Sequence, residues 1–224
     1  MAKVLYWLVP AVIFSAQAIF TFFSQTQIRY EEIAESVRDP FWLQAGYVYD
    51  GTSSNVGWYG SLLLIYNLFG FDIHSAKFFR LGLQLVSLVC LSLLLKRYLG
   101  KAYWLPFLVI GLSPTLLFYT TQQHSHGIDL QYFPIVLFCV LAKRFWLQLV
   151  GWFVAMIAWM SYPTFVFYLP ALLIFHLRGV PSTSLRATIG GVLAGLAAFL
   201  APLVLAFALV KNPSVLIFDR DTGN

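Results

Sequence analysis

The sequence predicts an all-α integral membrane protein with about seven transmembrane helices and amphipathic juxtamembrane helices in a long first extracytoplasmic loop. The first observation behind this prediction is composition, because 60% of the 224 residues are hydrophobic and only 10% are charged. The second is a series of apolar runs, several of which approach the roughly 20 residues that a helix needs to cross a bilayer. The third is how the charged residues fall between those runs. We therefore expect one polytopic membrane domain over residues 1–224.

The charged residues divide between the two ends of the predicted spans. All nine Asp and Glu residues can be placed on the extracytoplasmic side. Eight of the fourteen Lys and Arg residues fall on the cytoplasmic side, where short loops carry an excess of positive charge. Membrane topology thus accounts for the basic net charge of +5, and no nucleic-acid partner is expected. The eight residues are Lys3, Lys96, Arg97, Lys101, Lys143, Arg144, Arg178 and Arg186.

The first apolar run covers residues 4–24 and places the N-terminus in the cytoplasm. Its Ala16-Gln17-Ala18 segment has the form of a signal-peptide cleavage site. The apolar residues 19–23 extend the run to the length of a full span, so we favour an uncleaved helix over a cleaved signal peptide. With either alternative, the loop that follows lies outside.

A short apolar stretch, Trp58–Phe71, follows in the middle of that loop. It contains Gly60, Asn67 and Gly70, and it is too short to be read as an ordinary span. If it crossed the membrane, the later basic loops would all lie outside and Asp129 would lie inside, against the usual distribution of positive charge. We therefore predict an interfacial or re-entrant segment and an extracytoplasmic loop over residues 25–76.

Six further apolar runs predict the remaining spans. Pro163 and Pro170 are expected to kink one of them. The four-residue spacing of Ala187, Gly191 and Gly195 in the last run predicts close packing against another helix of the same chain. The predicted spans are residues 77–95, 102–120, 128–142, 145–161, 163–177 and 188–210.

The first loop opens with an amphipathic pattern over residues 30–41. Its apolar residues recur at helical spacing, with Glu31, Glu32 and Glu35 on the opposite face. Pro40 is expected to end this helix, because a proline disfavours helical geometry in the preceding residue. The pattern predicts a helix on the outer membrane surface, whose carboxylates are either merely solvated or supply chemistry.

Aromatic residues crowd around the polar, turn-rich segment that begins at Asp50. Aromatic side chains at the membrane surface serve most often as interface anchors. Beside carboxylates such as Asp50, their flat faces also suit a sugar ring. The two interpretations remain open at this point.

Asp129 begins the fourth predicted span, after a polar loop that contains His124 and His126. The first turn of a helix stabilises a carboxylate through free N–H groups and the helix dipole, so N-terminal capping is one interpretation of Asp129. A divalent metal held by His124, His126 and Asp129 is a second. The spacing matches no established metal motif, and plain polar loop residues are the preferred reading of the two histidines.

The order of these features resembles the N-terminal half of the GT-C membrane glycosyltransferases, the class that includes protein O-mannosyltransferases and aminoarabinose transferases. The resemblance covers about residues 1–145. It depends on the order and spacing of the matching motifs, because no single motif is specific for the family. A notable difference is that Glu31 stands where the family has a catalytic Asp. Family members are also typically longer, so we expect the N-terminal part of a longer enzyme. The matching pieces are Glu31-Glu32, Asn67-Leu-Phe-Gly70, Arg80-Leu81, Ser113-Pro114 and Gly127-Ile-Asp129.

The resemblance implies an enzyme that transfers a sugar from a polyprenyl-phosphate donor in the lipid bilayer to a glycan, lipid or protein acceptor. It implies catalytic roles for Glu31, with Glu32 in reserve, and for Asp129. No cofactor is certain, and a divalent metal is an option. The alternatives are a multi-pass transporter, a membrane scaffold and a catalytically inactive truncated transferase. Substrate binding is assigned to the outer-side residues Arg29, Lys77, Arg80 and Asp50.

Overall fold

The computed structural model describes residues 2–23, 38–41, 43–45, 55–71, 75–121, 125–179 and 185–209, and every regular element within these ranges is helical. An all-α fold is therefore confirmed. Two 3₁₀ helices, Gly100–Ala102 and Pro163–Tyr168, accompany the α-helices. The α-helices are α1 (Ala2–Phe23), α2 (Val56–Phe69), α3 (Ser75–Leu99), α4 (Leu105–Val109), α5 (Pro114–Thr121), α6 (Ile128–Val140), α7 (Phe145–Ser161), α8 (Leu169–Gly179) and α9 (Leu185–Leu209).

Two helices within the described residues are long and apolar enough to cross a membrane. One is the Ser75–Lys96 stretch of α3, and the other is the Ile189–Ala206 stretch of α9. Shorter apolar helices occupy most of the other predicted spans, including Leu8–Thr21 and Phe145–Ser161. The described part of the chain is thus all-helical and has two candidate membrane helices. The seven spans predicted from the sequence stay a prediction.

The prediction that residues 102–120 form one membrane-spanning helix is wrong. The chain forms α4, leaves helical geometry at residues 110–113 and resumes as α5. Pro114 lacks the N–H that would continue a helical ladder and disfavours helical geometry in the residue before it. Gly111 sits in the break, where its carbonyl accepts a hydrogen bond from the Gln17 side chain of α1. The break therefore fits α4 and α5 around α1.

The helix predicted to end before Pro40 does not end there. Residues 38–41 are helical, and the Ala45 N–H donates a hydrogen bond to the Phe41 carbonyl at 3.0 Å. The fixed φ of proline is itself compatible with a helix, so Pro40 does not break this one. The rest of the predicted amphipathic helix, residues 30–37, lies outside the described residues.

Asp39 is buried in this segment and carries a pH-dependent contribution to stability. Its carboxylate is 2.7 Å from Arg38 Nε. Burial raises the pKa of the Asp39 carboxyl above its usual value, while hydrogen bonds to Arg38 and Tyr59 and the charge of Arg38 oppose the rise. The folded chain therefore binds this proton more tightly than the unfolded chain. The resulting stabilisation is complete below the unfolded pKa of about 3.9 and is lost as pH rises through the folded value.

We expect a carboxyl NMR titration to place the pKa of Asp39 above about 3.9. Arg38→Gln should raise that pKa further, because it removes the opposing charge and hydrogen bond. A midpoint at or below the ordinary aspartate value in both proteins would show that burial does not dominate at this site.

The largest core surrounds α7, which packs against α6, α9 and α2. Trp58 and Leu62 of α2 are fully buried within it, as is Phe165 of the second 3₁₀ helix. The short apolar stretch predicted to be an interfacial or re-entrant segment is thus a helix with one face buried in the bundle, whereas its Leu64, Leu68 and Phe69 side chains are exposed. This packing brings the N-terminal end of α2 close to the C-terminal end of α7.

Gly57 permits the close approach of α2 and α7. A Cβ at Gly57 would overlap the Ile157 carbonyl oxygen and lie 2.8 Å from the Ser161 backbone nitrogen. Because the obstruction is largely backbone, we expect Gly57→Ala to destabilise the fold by about 1–3 kcal/mol in reversible unfolding in detergent. Gly82→Ala is the matched control, since an added Cβ there meets nothing within 4 Å and alanine favours a helix. Equal stability of the two variants would contradict this packing.

Candidate functional site

Polar side chains gather where the N-terminal parts of α3 and α6 meet the second 3₁₀ helix. We call Arg80, His126, Asp129, Thr164 and Tyr168 the polar cluster. The cluster joins residues that are far apart in sequence at one end of the helical bundle. His126 and Thr164 are exposed, whereas Arg80 and Asp129 are buried, so the cluster reaches from the surface into the bundle.

Arg80 is the most deeply buried charged side chain among the described residues, with no exposed surface. Its Nη2 donates a hydrogen bond to the His126 carbonyl at 2.6 Å. Its guanidinium carbon lies 5.7 Å from the centre of the Trp58 ring, within the range of a cation–π contact. Arg80 therefore differs from an interface residue that extends its charge into water. Its contacts instead fix a cation inside the bundle.

The turn before α6 is held by a second buried hydrogen bond. Ser125 Oγ donates to Asn55 Oδ1 at 2.7 Å, and both side chains are buried. Gly127 then adopts a φ of +69°, a left-handed conformation that glycine takes without strain. The turn aims the His126 carbonyl at Arg80 and starts α6 at Ile128.

Asp129 lies in the first turn of α6, as the sequence predicts. Thr164 Oγ1 donates a hydrogen bond to Asp129 Oδ2 at 2.9 Å, and the Tyr168 hydroxyl also hydrogen-bonds this carboxylate. The N-terminal position on α6 stabilises negative charge through the helix dipole. Asp129 as a whole residue is only 7% exposed, so these hydrogen bonds rather than bulk water set the orientation of its side chain.

A tyrosine extends this polar region toward α2 and α7. The Tyr132 hydroxyl hydrogen-bonds Ser61 of α2 and Ser161 of α7, and it lies near the charge of Arg80. The Ser61 and Ser161 hydroxyls also donate to the Gly57 and Ile157 carbonyls, each at 2.7 Å. This buried network ties the cluster to the core and limits its movement.

The arrangement combines a fixed cation, a fixed carboxylate and two exposed polar residues at a helix N-terminus. A buried guanidinium in low dielectric attracts an anionic group such as a phosphate. A carboxylate held by hydroxyl donors can orient a further hydroxyl or accept a proton from one. These are the elements of a site for transfer between an anionic leaving group and a hydroxyl acceptor.

The structure brings together only some of the residues predicted from the sequence. Arg80, His126 and Asp129 belong to the polar cluster, and Lys77 lies one turn before Arg80 on α3 and is nearly buried. The remaining predicted site residues, Arg29, Glu31, Glu32, Asp50 and His124, lie outside the described residues. Within the described part of the chain, no three His, Cys, Asp or Glu side chains are placed to hold a metal ion. The predicted histidine–aspartate set includes the undescribed His124.

Sequence reasoning did not predict the contact of Trp58 with Arg80, and it did not single out Thr164 and Tyr168. Topology offers a signal for the last two, because the chain between α7 and α8 returns to the end of the bundle at which α6 begins. Polar residues there are therefore candidates to meet Asp129. The contact of Trp58 with Arg80 has no comparable sequence signal, because it depends on how α2 enters the bundle.

No protein-family model, curated protein or solved structure matches this chain.

Proposed function

We propose that this protein is a glycosyltransferase that moves a sugar from a polyprenyl-phosphate donor to an acceptor hydroxyl on the extracytoplasmic side of the membrane. The observation that carries this proposal is the polar cluster, in which a buried Arg80 and a buried Asp129 meet at one end of an apolar helical bundle. A lipid-linked phosphate donor presents its charged group at the same boundary, between an apolar phase and water. The reaction class, sugar transfer, comes from the order of sequence motifs that resembles the GT-C glycosyltransferases.

The proposed reaction forms a bond between the acceptor oxygen and the anomeric carbon of the sugar. The bond between that carbon and the phosphate oxygen breaks, and the polyprenyl phosphate leaves with the bonding electrons. A carboxylate, Glu31 with Glu32 in reserve, takes the hydroxyl proton. Arg80 and Lys77 offset the charge that develops on the leaving phosphate, with Arg29 as a further cation.

Asp129 has a different role in this proposal. Thr164 and Tyr168 hold its carboxylate, which fixes the direction in which it can accept a further hydrogen bond. A carboxylate in this position orients the acceptor hydroxyl for attack. A divalent metal, if the reaction uses one, would also bind an oxygen ligand such as Asp129.

The distribution of charge favours transfer over transport. Transporters place ionisable residues near the middle of their spans. In the described helices, residues 81–95 of α3 and 189–206 of α9 contain no charged residue, whereas Arg80 and Asp129 lie near helix starts. Chemistry at the membrane boundary is the better interpretation.

A transfer assay in membranes with radiolabelled polyprenyl-phosphate sugars tests the proposal. We expect wild-type membranes to transfer label and Glu31→Gln to reduce the rate about 10²-fold, because a general base contributes roughly 10²–10⁴-fold. Glu32→Gln tests whether Glu32 rather than Glu31 is the base. Glu35→Gln is the control, because Glu35 lies on the same predicted helix face and has no assigned role. Unchanged transfer in Glu31→Gln, Glu32→Gln and Asp129→Asn would remove the catalytic assignment.

A further inference from the structure

Three basic side chains lie at the end of the bundle opposite the polar cluster. Lys96 is in the last turns of α3, and Lys143 and Arg144 belong to the turn between α6 and α7. All three side chains are exposed, and we call them the basic surface. Lys96 comes 16 residues after Arg80 on the same helix, which corresponds to about 24 Å along its axis. The basic surface is therefore a separate region of the molecule.

The two parts of the basic surface lie at the same level of the bundle. Arg80 of α3 donates a hydrogen bond to the carbonyl of His126, 46 positions later in the chain. Farther along, Leu88 of α3 and Pro134 of α6, which have the same offset, line one cavity. The two packed helices therefore run in parallel, and Lys96 is level with the α6–α7 turn. Because the axes of packed helices are about 8–10 Å apart, both parts of the basic surface face the same patch of membrane surface.

The α6–α7 turn has a defined shape. The Arg144 carbonyl accepts hydrogen bonds from two N–H groups in the first turn of α7, at 3.0 and 3.3 Å. The buried side chain of Gln148 donates a hydrogen bond to the Ala142 carbonyl at 2.7 Å. These bonds involve backbone carbonyl groups and leave the Lys143 and Arg144 side chains exposed. The turn thus presents two cations from a fixed backbone.

The described part of the chain supplies no negative charge to the basic surface. None of its three cations forms an ion pair with a described residue. The two acidic residues that the structure describes, Asp39 and Asp129, lie toward the opposite end of the bundle, near Tyr59 of α2 and in the first turn of α6, respectively. The first turn of α7 contains no acidic residue. The basic surface is therefore suited to an anionic partner from outside the chain.

The neighbouring side chains favour a membrane lipid over a soluble anion. Phe145 and Trp146, which directly follow Arg144, are 49% and 56% exposed. Exposed aromatic side chains at the end of an apolar helix are typical of the headgroup level of a bilayer. Toward the middle of the bundle, α3 and α7 expose apolar side chains such as Leu93 and Val150. Cations at the edge of such a surface are placed to meet the phosphate of a lipid whose acyl chains cover the apolar side chains.

We propose that the basic surface binds the phosphate headgroup of an anionic phospholipid such as phosphatidylglycerol. Lys143 and Arg144 contact the phosphate from the α6–α7 turn, and Lys96 adds positive charge from α3. The sequence predicts that this end of the bundle faces the cytoplasm, where the leaflet carries anionic lipids. The site requires neither a sugar donor nor an acceptor, so it is independent of sugar transfer.

The test is a lipid titration of the purified full chain in a non-ionic detergent, with bound lipids counted by native mass spectrometry. The probes are phosphatidylglycerol and phosphatidylcholine with the same acyl chains. We expect the first phosphatidylglycerol to bind at least about tenfold more tightly than the first phosphatidylcholine, because only phosphatidylglycerol carries a net charge. Equal affinities would overturn the proposal. Displacement of phosphatidylglycerol by inorganic phosphate would also overturn it, because the site would then recognise the free anion.

The matched variants are Arg144→Gln and Arg38→Gln. Each removes one exposed cation, but Arg38 lies beside Asp39 at the other end of the bundle. We expect Arg144→Gln to weaken phosphatidylglycerol binding about fivefold, the effect of one basic side chain at an anionic surface, and Arg38→Gln to leave it unchanged. Lys143→Gln and Lys96→Gln should each weaken it by a similar factor. The affinity for phosphatidylcholine should be the same in all of these proteins.

Folding does not obscure this test, because the substituted side chains are exposed and the Arg144→Gln variant keeps the backbone carbonyl that holds the turn. The variants should therefore unfold at the same temperature as the wild type. Unchanged phosphatidylglycerol binding in the double variant Lys143→Gln/Arg144→Gln would overturn the proposal. An equal loss in Arg38→Gln would do the same, because it would reflect net charge alone. Neither result bears on the transfer assay, which responds to the carboxylates.

Discussion

Arg80→Met is expected to reduce sugar transfer about 10²–10³-fold, the loss typical when one preorganised charge-stabilising group is removed from a reaction centre. Methionine keeps an unbranched apolar side chain but cannot donate a hydrogen bond to the His126 carbonyl or offer a cation to the Trp58 ring. The orphaned carbonyl should also lower the free energy of unfolding by about 1–3 kcal/mol. Both effects follow from the burial of one guanidinium.

Arg80→Lys separates charge from geometry. Lysine retains the positive charge but lacks the planar fork that contacts a carbonyl and an aromatic face together. We therefore expect transfer and stability values between those of the wild type and Arg80→Met. Lys101→Met is the matched control, because Lys101 is exposed in the first 3₁₀ helix. Wild-type transfer rates in a folded Arg80→Met protein would exclude Arg80 from the reaction.

Asp129→Asn is expected to lower transfer at least about 10²-fold, because misplacement of a reacting group by about 1 Å has a cost of that size. Asparagine has nearly the same shape, but it carries no charge and directs an NH₂ group to one side. Thr164→Val removes the donor that holds the carboxylate while leaving its charge in place. We expect a smaller loss from Thr164→Val, about tenfold.

The control for Asp129 is Asp39→Asn. Asp39 is also a buried carboxylate, but it lies in the segment at residues 38–41 and its described partners are Arg38 and Tyr59. A general effect of removing a buried carboxylate would appear in both variants. Loss of transfer only in Asp129→Asn would show that the polar cluster matters, and equal rates in all three proteins would reject its role.

The fold was predictable where an apolar run and a helix coincide. The predicted run at residues 145–161 coincides with α7, and the run at 4–24 contains all but the first two residues of α1. Such runs predict helices because every backbone hydrogen bond is made locally. Residues 102–120 are equally apolar, but hydropathy does not register the local geometry imposed by Gly111 and Pro114.

The candidate site was predictable by residue type but not by arrangement. Arg80 and Asp129 stand out because charge is rare in such an apolar sequence. Their partners His126 and Thr164 lie 46 and 35 residues away, respectively, so the contacts depend on how the helices pack. Sequence periodicity describes the faces of a helix and does not say which faces meet.

The central claim is that the polar cluster lies on the extracytoplasmic side of the membrane, where a lipid-linked sugar donor would be met. Single cysteines at two exposed positions, His126→Cys and Tyr98→Cys, test it in a background in which the buried Cys90 and Cys139 are replaced by alanine. An impermeant thiol reagent added to intact cells should label residue 126, and should label residue 98 only after the membrane is opened. Labelling of residue 98 but not residue 126 in intact cells would contradict the claim.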